Sequence, residues 1–116
     1  MSSHSFSIGD RMIGRGHPCF VIAELGQNHN GDVHTCLKMI EAALVAGADA
    51  VKTQTRNVDL AVPAHMRDAI RDTPWGPLSY IEYRRRLEFG EPEYDAIDRT
   101  CRQWSIPWLT SCWDES

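Results

Sequence analysis

A carboxylate and an amine stand near the ends of two short apolar runs, Glu24 after Cys19-Phe20-Val21-Ile22-Ala23 and Lys52 after Ala50-Val51, with Gln54 two residues beyond Lys52. If each run is a β-strand, side-chain alternation puts Phe20, Ile22 and Glu24 on one side of the first and Ala50, Lys52 and Gln54 on one side of the second. An acid, a lysine and an amide brought together in this way can hold an anionic substrate and handle its protons. Parallel α/β folds gather such groups at the carboxyl edge of the sheet, where both runs end. Two readings stay open for Glu24 and Lys52. They form an active-site pair, or they form an ion pair that locks neighbouring strands and adds little net stability once both charges are desolvated.

Gln27-Asn28-His29-Asn30-Gly31 follows the first run at the same edge and is rich in side-chain donors. A polar, turn-forming loop is the simpler reading and a ligand-binding loop, with Asn28 among its contacts, the other. Asp32 can cap the next helix, and a carboxylate on those N–H groups argues against a phosphate at that spot. Further on, Thr110, Ser111 and Cys112 close a third apolar piece, and their hydroxyls either bond an anion or end the strand.

The elements that must position these groups are legible in the periodicity. Phe6 to Ile13 carries a Gly9-Asp10 turn signal, so a hairpin over about 6–14 is expected. Cys19 to Ala23 reads as a strand buried on both faces. Val33, Leu37, Ile40 and Leu44 recur at spacings of four, three and four up to Gly47, a left-handed C-cap, which predicts an amphipathic helix opened by Asp32. Ala48 to Thr55 supplies the second strand, making a βαβ unit over about 19–55 with parallel strands and a right-handed crossover.

Residues 56–90 read as a long loop with helical turns at Ala64 to Arg71 and Tyr80 to Phe89, elaborated on the rim for function. Pro92 suits the first turn of a helix whose stripe is Tyr94, Ile97, Cys101 and Trp104, and Pro107 to Ser111 gives the third strand, so that helix and strand fill about 91–112.

The 116 residues carry a formal net charge of −4, with 42% hydrophobic and 24% charged positions. This mildly acidic balance, without a long basic run, argues against nucleic acid as the main partner, because phosphate neutralisation needs clustered Lys and Arg. Arg84, Arg85 and Arg86 form the one basic cluster, and Glu88 and Glu91 beside it predict a solvated, salt-bridged helix face. No window approaches the ~18 apolar residues of a membrane span, and Met1 to Asp10 lacks the layout of a secretory signal, so a cytoplasmic protein is expected. Cys19, Cys36, Cys101 and Cys112 contain no C-x-x-C pair and read as structural thiols, with Cys36 and Cys101 on apolar helical stripes.

Two helices cannot cover both faces of three parallel strands. Leaving a few hundred Å2 of strand face in water forfeits on the order of 5 to 10 kcal/mol, as much as a small domain's whole stability. A (β/α)8 barrel needs about 250 residues. The expectation is a truncated barrel domain over 1–116, or one completed by a partner chain. A non-catalytic half-barrel that binds or assembles through its open strand edge is the alternative, and sizing by chromatography separates the two.

The residues from Phe20 to Asp32, F-V-I-A-E-L-G-Q-N-H-N-G-D, resemble the opening motif of the N-acetylneuraminate (sialic acid) synthase family, approximately I-I-A-E-I-G-x-N-H-N-G-D. Ala46 to Thr55, A-G-A-D-A-V-K-T-Q-T, is similar to the family's A-G-A-D-A-V-K-F-Q-T. Trp75-Gly76 through Leu87-Glu88-Phe89-Gly90 resembles an insertion of one branch, and Ser111-Cys112-Trp113-Asp114 that branch's S-x-W-D. Thr53 replaces the family's usual Phe and brings a hydroxyl that needs a partner.

The resemblance implies the amino-terminal portion of a (β/α)8 barrel enzyme, preceded by the hairpin and inactive as this piece alone. It would join phosphoenolpyruvate to N-acetylmannosamine or a related N-acetyl amino sugar, giving a nonulosonic acid and phosphate. A divalent metal, Mn2+ or Mg2+, is implied for the full-length enzyme, to polarise the sugar aldehyde. The family's metal-binding histidines lie on later strands, so no metal ligand is assigned here and His29 is not promoted in their place. Position by position, Lys52 matches the lysine near phosphoenolpyruvate, Gln54 an active-site glutamine, and Glu24 a glutamate of sugar binding or proton handling. Asn28 and Ser111 join Lys52 and Gln54 as substrate contacts, and a homodimer is implied for the full-length protein.

Overall fold

Asp32 opens the first long helix as expected: its carboxylate accepts the His34 backbone N–H at 2.9 Å and the Thr35 hydroxyl at 2.9 Å. In this computed structural model, which describes residues 4–116, the chain runs through β1 (Ser5–Ile8), β2 (Arg11–Gly14), β3 (Ile22–Gly26), α1 (Val33–Val45) and β4 (Ala50–Thr55). It continues through α2 (Val58–Ala61), a 3-10 turn (Ala64–Met66), β5 (Ile70–Thr73), β6 (Gly76–Ser79), α3 (Tyr80–Leu87), α4 (Glu91–Gln103) and β7 (Trp108–Cys112).

Three strands form a parallel sheet in the order β3-β4-β7. On one face α1 presents Cys36 and Ile40, and α4 presents Ile97 and Cys101, to Leu25, Val51 and Ile106, and these residues make the core. Of the predicted stripes Ile40, Ile97 and Cys101 are buried, Leu37, Leu44, Tyr94 and Trp104 pack partly buried against them, and Val33 lies outside the cluster. Burial lifts both core thiols to about 11, so they stay protonated and pack as small apolar groups.

The other face of the same sheet is open. Ile22 keeps 44% and Leu109 42% of their exposure, although both sit in strands. The expectation that the first strand is buried on both faces is therefore corrected. That strand also begins later and ends later than its apolar run: Cys19 lies before it and is exposed, while Glu24, Leu25 and Gly26 lie within it. The polar end is carried by a bulge, because the register passes from Glu24↔Lys52 directly to Gly26↔Thr53 and leaves Leu25 as the extra residue, turned into the core.

β1 and β2 pair antiparallel about the Gly9-Asp10 turn. Arg11 forms an ion pair with Asp49, just before β4, so this ribbon lies by the amino ends of the strands, away from Glu24 and Gln54. Asp49 also accepts the Val21 backbone N–H at 2.8 Å.

Residues 56–90 are more ordered than their composition predicts. β5 and β6 form an antiparallel hairpin turned at Pro74 and Trp75, and of the helical turns expected at Ala64 to Arg71 only the 3-10 turn forms. Pro77 concealed this hairpin, since a proline inside a strand pattern argues against a strand, yet an edge position tolerates it. The expected helix at Tyr80 is present as α3, with a capping box between Ser79 and Glu82. The insertion is held on the sheet by close backbone approach. Gly31 has φ +75°, and a Cβ there would lie 1.9 Å from the Arg86 carbonyl oxygen, so only glycine lets the loop after β3 meet the end of α3.

Among the described residues no helix is long and apolar enough to cross a membrane.

Candidate functional site

The parallel register places Glu24 opposite Lys52, Lys52 opposite Leu109, and Gln54 opposite Ser111. Parity then sets Glu24, Lys52, Gln54 and Ser111 on the open face, since Val51 and Thr53 between them are buried under the helices. Lys52 Nζ lies 2.9 Å from Glu24 Oε2, with 32% and 43% of the two side chains exposed. Both alternatives for this pair thus remain physically present in one contact: the charges bond each other, and they do so where a solute can reach them.

A cavity of about 500 Å3 opens at the carboxyl edge beside them, bounded by β3, the loop after it, the end of β4 and helix α3. Glu24, Gln54 and Asn28 line it, whereas Lys52 and Ser111 are not among its lining residues. Asn28 is exposed, and its side-chain amide donates to the Leu25 carbonyl at 3.1 Å, which holds the turn. The loop is therefore both a turn and a wall.

His29 is a core residue. It is buried, its ring stacks on Phe89 at 4.0 Å between centroids, and its Nδ1 accepts the Gly31 N–H at 3.0 Å. Burial favours the neutral ring and pulls its pKa below the usual imidazole value, outweighing the opposite pull of the Asp32 carboxylate.

The far wall holds residues that the sequence reading did not single out for chemistry. Arg56, the first residue after β4, meets Glu88 at 3.4 Å, with side chains only 8% and 13% exposed. Glu88 also accepts the Arg56 backbone N–H at 3.1 Å and the Gln27 side-chain amide. Arg56 bonds the Gln54 side-chain oxygen at 3.2 Å, and its guanidinium lies 4.1 Å from the centre of the Trp113 ring. Arg84 donates to Gln27 from across the cavity.

The basic cluster at 84–86 is thus not one solvated face. Arg85 is exposed and pairs with Asp59 at 2.7 Å, and Arg86 lies over Trp75, but Arg84 is half-buried and turned to the cavity. Burial and the nearby positive charge of Arg84 both lower the pKa of Arg56, and Glu88 opposes them. One signal was available beforehand. An arginine directly after a strand that ends in Lys and Gln occupies the carboxyl edge by position alone, whereas Arg84, Glu88 and Trp113 become site residues only through the folding of the insertion and the end of β7.

Thr53 is buried with its hydroxyl unpartnered, so the departure noted in the sequence leaves an unsatisfied polar atom under the site.

A family model described as the NeuB family matches residues 39–116. The chain is 36% identical over 107 residues to the N-acetylneuraminate-9-phosphate synthase of Homo sapiens, covering 90% of this chain and 30% of that protein. It is 32% identical over 117 residues to the N,N'-diacetyllegionaminic acid synthase of Legionella pneumophila, covering 99% of this chain and 33% of that one. The chain therefore spans about a third of the length of these relatives. Among solved structures, an N-acetylneuraminic acid (sialic acid) synthetase from Leptospira borgpetersenii superposes with a TM-score of 0.78 at 27% identity, over 97% of this chain and 35% of that one.

Proposed function

The chain belongs to the NeuB family, and from that premise we propose that it supplies part of the active site of a nonulosonic acid synthase. The reaction is condensation of phosphoenolpyruvate with N-acetylmannosamine or a related N-acetyl amino sugar. The methylene carbon of the enol bonds to the aldehyde carbon, water adds at the former enol carbon, and phosphate leaves by C–O cleavage. The observation that carries the reading is the 2.9 Å Lys52–Glu24 contact on the open face, beside a cavity that Gln54 and Asn28 help to line.

Lys52 is the cation for the anionic enol, because a fixed ammonium that needs no reorganisation stabilises charge as it shifts in the transition state. Glu24 orients that ammonium and accepts hydroxyl protons from the sugar. Gln54, anchored by Arg56, offers its amide N–H groups, and Ser111 in register with it extends the polar row along β7.

On this reading residues 1–116 form the amino-terminal part of a (β/α)8 barrel domain, and the open face of β3, β4 and β7 is the barrel interior. The exposed Ile22 and Leu109 support it, since apolar side chains in water on a strand face are what a missing remainder of a barrel would cover. For the full-length protein the family resemblance further implies a homodimer, in the cytoplasm. A divalent metal is implied by the resemblance, but the residues present do not fit one: among the described residues no three His, Cys, Asp or Glu side chains converge, and Glu24 is engaged by Lys52. No step above is assigned to a metal held by these residues.

The test is an assay of the full-length gene product with phosphoenolpyruvate, N-acetylmannosamine and Mn2+. Release of phosphate together with a nine-carbon keto acid is expected. Absence of product with every N-acetyl amino sugar offered rejects the activity.

A further inference from the structure

The chain after β7 is tied to the chain after β4 on both sides of Arg56. The Trp113 backbone N–H donates to the Thr55 carbonyl at 3.0 Å, and the Asp114 carboxylate accepts the Asn57 backbone N–H. Asp114 also accepts the Ser116 backbone N–H at 3.2 Å and its hydroxyl at 2.6 Å, which closes the turn behind the ring. These ties set the Trp113 ring over the Arg56 guanidinium, 4.1 Å from ring centre to carbon, although Trp113 keeps 57% of its exposure and belongs to no part of the core. Glu88 neutralises that guanidinium without aiming it: the contact is 3.4 Å, and the buried Arg56 Nε has no hydrogen-bond partner among the described residues. Fixing the plane of the group therefore falls to the ring that lies on it.

An arginine only donates hydrogen bonds, so the end of the Gln54 amide that it engages is the oxygen. Arg56 reaches that oxygen at 3.2 Å, and the amide nitrogen is left on the side of Gly26, where a Cβ would lie 3.7 Å from it and 3.5 Å from the Glu24 carboxylate. Which way the Gln54 amide faces thus depends on where the guanidinium is held. Resting on the proposed reaction, in which Gln54 faces the anionic substrate, we infer that Trp113, set in place by Asp114, is a positioning residue. Its ring holds Arg56, and Arg56 keeps the Gln54 N–H groups turned toward phosphoenolpyruvate. The oxygens of that anion accept hydrogen bonds, so a flipped amide sets oxygen against oxygen. A sugar hydroxyl both donates and accepts, and it tolerates either orientation. Loss of the ring therefore weakens the hold on one substrate and not on the other.

The experiment compares the full-length gene product with its Trp113→Leu and Trp113→Phe variants. In Trp113→Leu the KM for phosphoenolpyruvate is expected to rise about tenfold, near the lower end of what one hydrogen bond to a charged group contributes. kcat and the KM for N-acetylmannosamine stay within about twofold. Trp113→Phe keeps an aromatic face for the guanidinium and recovers most of the loss. In a Gln54→Ala background Trp113→Leu has no further effect on that KM, because the ring acts through the amide. Equal impairment of the Leu and Phe variants, a rise shared by both KM values, additive effects in Gln54→Ala, or a Trp113→Leu that fails to fold each overturns the inference. Calorimetric titration with phosphoenolpyruvate alone separates this claim from the reaction itself. Binding about tenfold weaker in Trp113→Leu, from a wild type that turns over no N-acetyl amino sugar, keeps the positioning role and rejects the synthase activity. Undiminished binding in Trp113→Leu, from a wild type that is active, keeps the activity and rejects the role.

Discussion

Lys52 and Glu24 bond at 2.9 Å where the side chains keep 32% and 43% of their exposure, whereas Arg56, just past the carboxyl end of β4, and Glu88, just past α3, stand 3.4 Å apart and almost out of water. The looser pair is the more deeply buried one. Its partners show why: Glu88 divides its oxygens among the Arg56 backbone, the Arg56 guanidinium and Gln27, and Arg56 divides its donors among Glu88, Gln54 and the face of Trp113. A buried charge persists only when several groups share it, while an exposed one can be left with a single partner and remain open to a substrate. The first pair is built to be reached and the second to hold a wall in place.

The largest effect should come from cutting the buried pair. Glu88→Ala leaves Arg56 beside Arg84 with no carboxylate, and a loss of about 3 kcal/mol in urea unfolding is expected; a loss under about 1 kcal/mol would put both pairs in the same class. Lys52→Ala should do the reverse, lowering kcat/KM of the full-length enzyme at least about a hundredfold, ~2.7 kcal/mol in the barrier. Its cost in stability stays within about 1 kcal/mol, as for an exposed pair. Near-normal turnover together with a large fall in stability would make Lys52–Glu24 a strand lock.

Beneath both pairs, Thr53→Val replaces an unpartnered buried hydroxyl by a methyl of the same shape and should stabilise by about 1 kcal/mol. Destabilisation would show that the hydroxyl has a partner when the protein is whole. The smallest effect concerns pH. Burial lowers the pKa of His29 in the folded chain below its ordinary 6.5, so the unfolded chain takes up the proton first. The stabilising contribution of the neutral ring is full above about 6.5 and declines as pH falls through that value toward the folded one. Thermal midpoints measured between pH 8 and pH 5 should fall on the acid side, and more shallowly in His29→Gln; parallel curves would place the titration elsewhere.

The secondary structure was most legible where one period dominates. The stripes of α1 and α4 follow the helical repeat through Ile40 and Ile97, and both ended in the core. It was least legible at 56–90, where Pro77 in an edge strand and a short hairpin offer no repeat to read. β3 shows an intermediate case, since its apolar run named the strand but not its limits: the bulge at Leu25 carries the strand past Glu24, and the pairing with β4 settles where it ends.

Local rules therefore determined the order of elements, the caps, and the convergence of Glu24, Lys52 and Gln54 on one side of neighbouring strands, because alternation along a strand and periodicity along a helix are properties of a few adjacent residues. The cavity's second wall was decided only in three dimensions. Arg56, the Arg84–Glu88 stretch and Trp113 are tens of residues apart, and their meeting depends on how α3 packs against the loop after β3, an approach that the missing side chain of Gly31 permits and that no local pattern encodes.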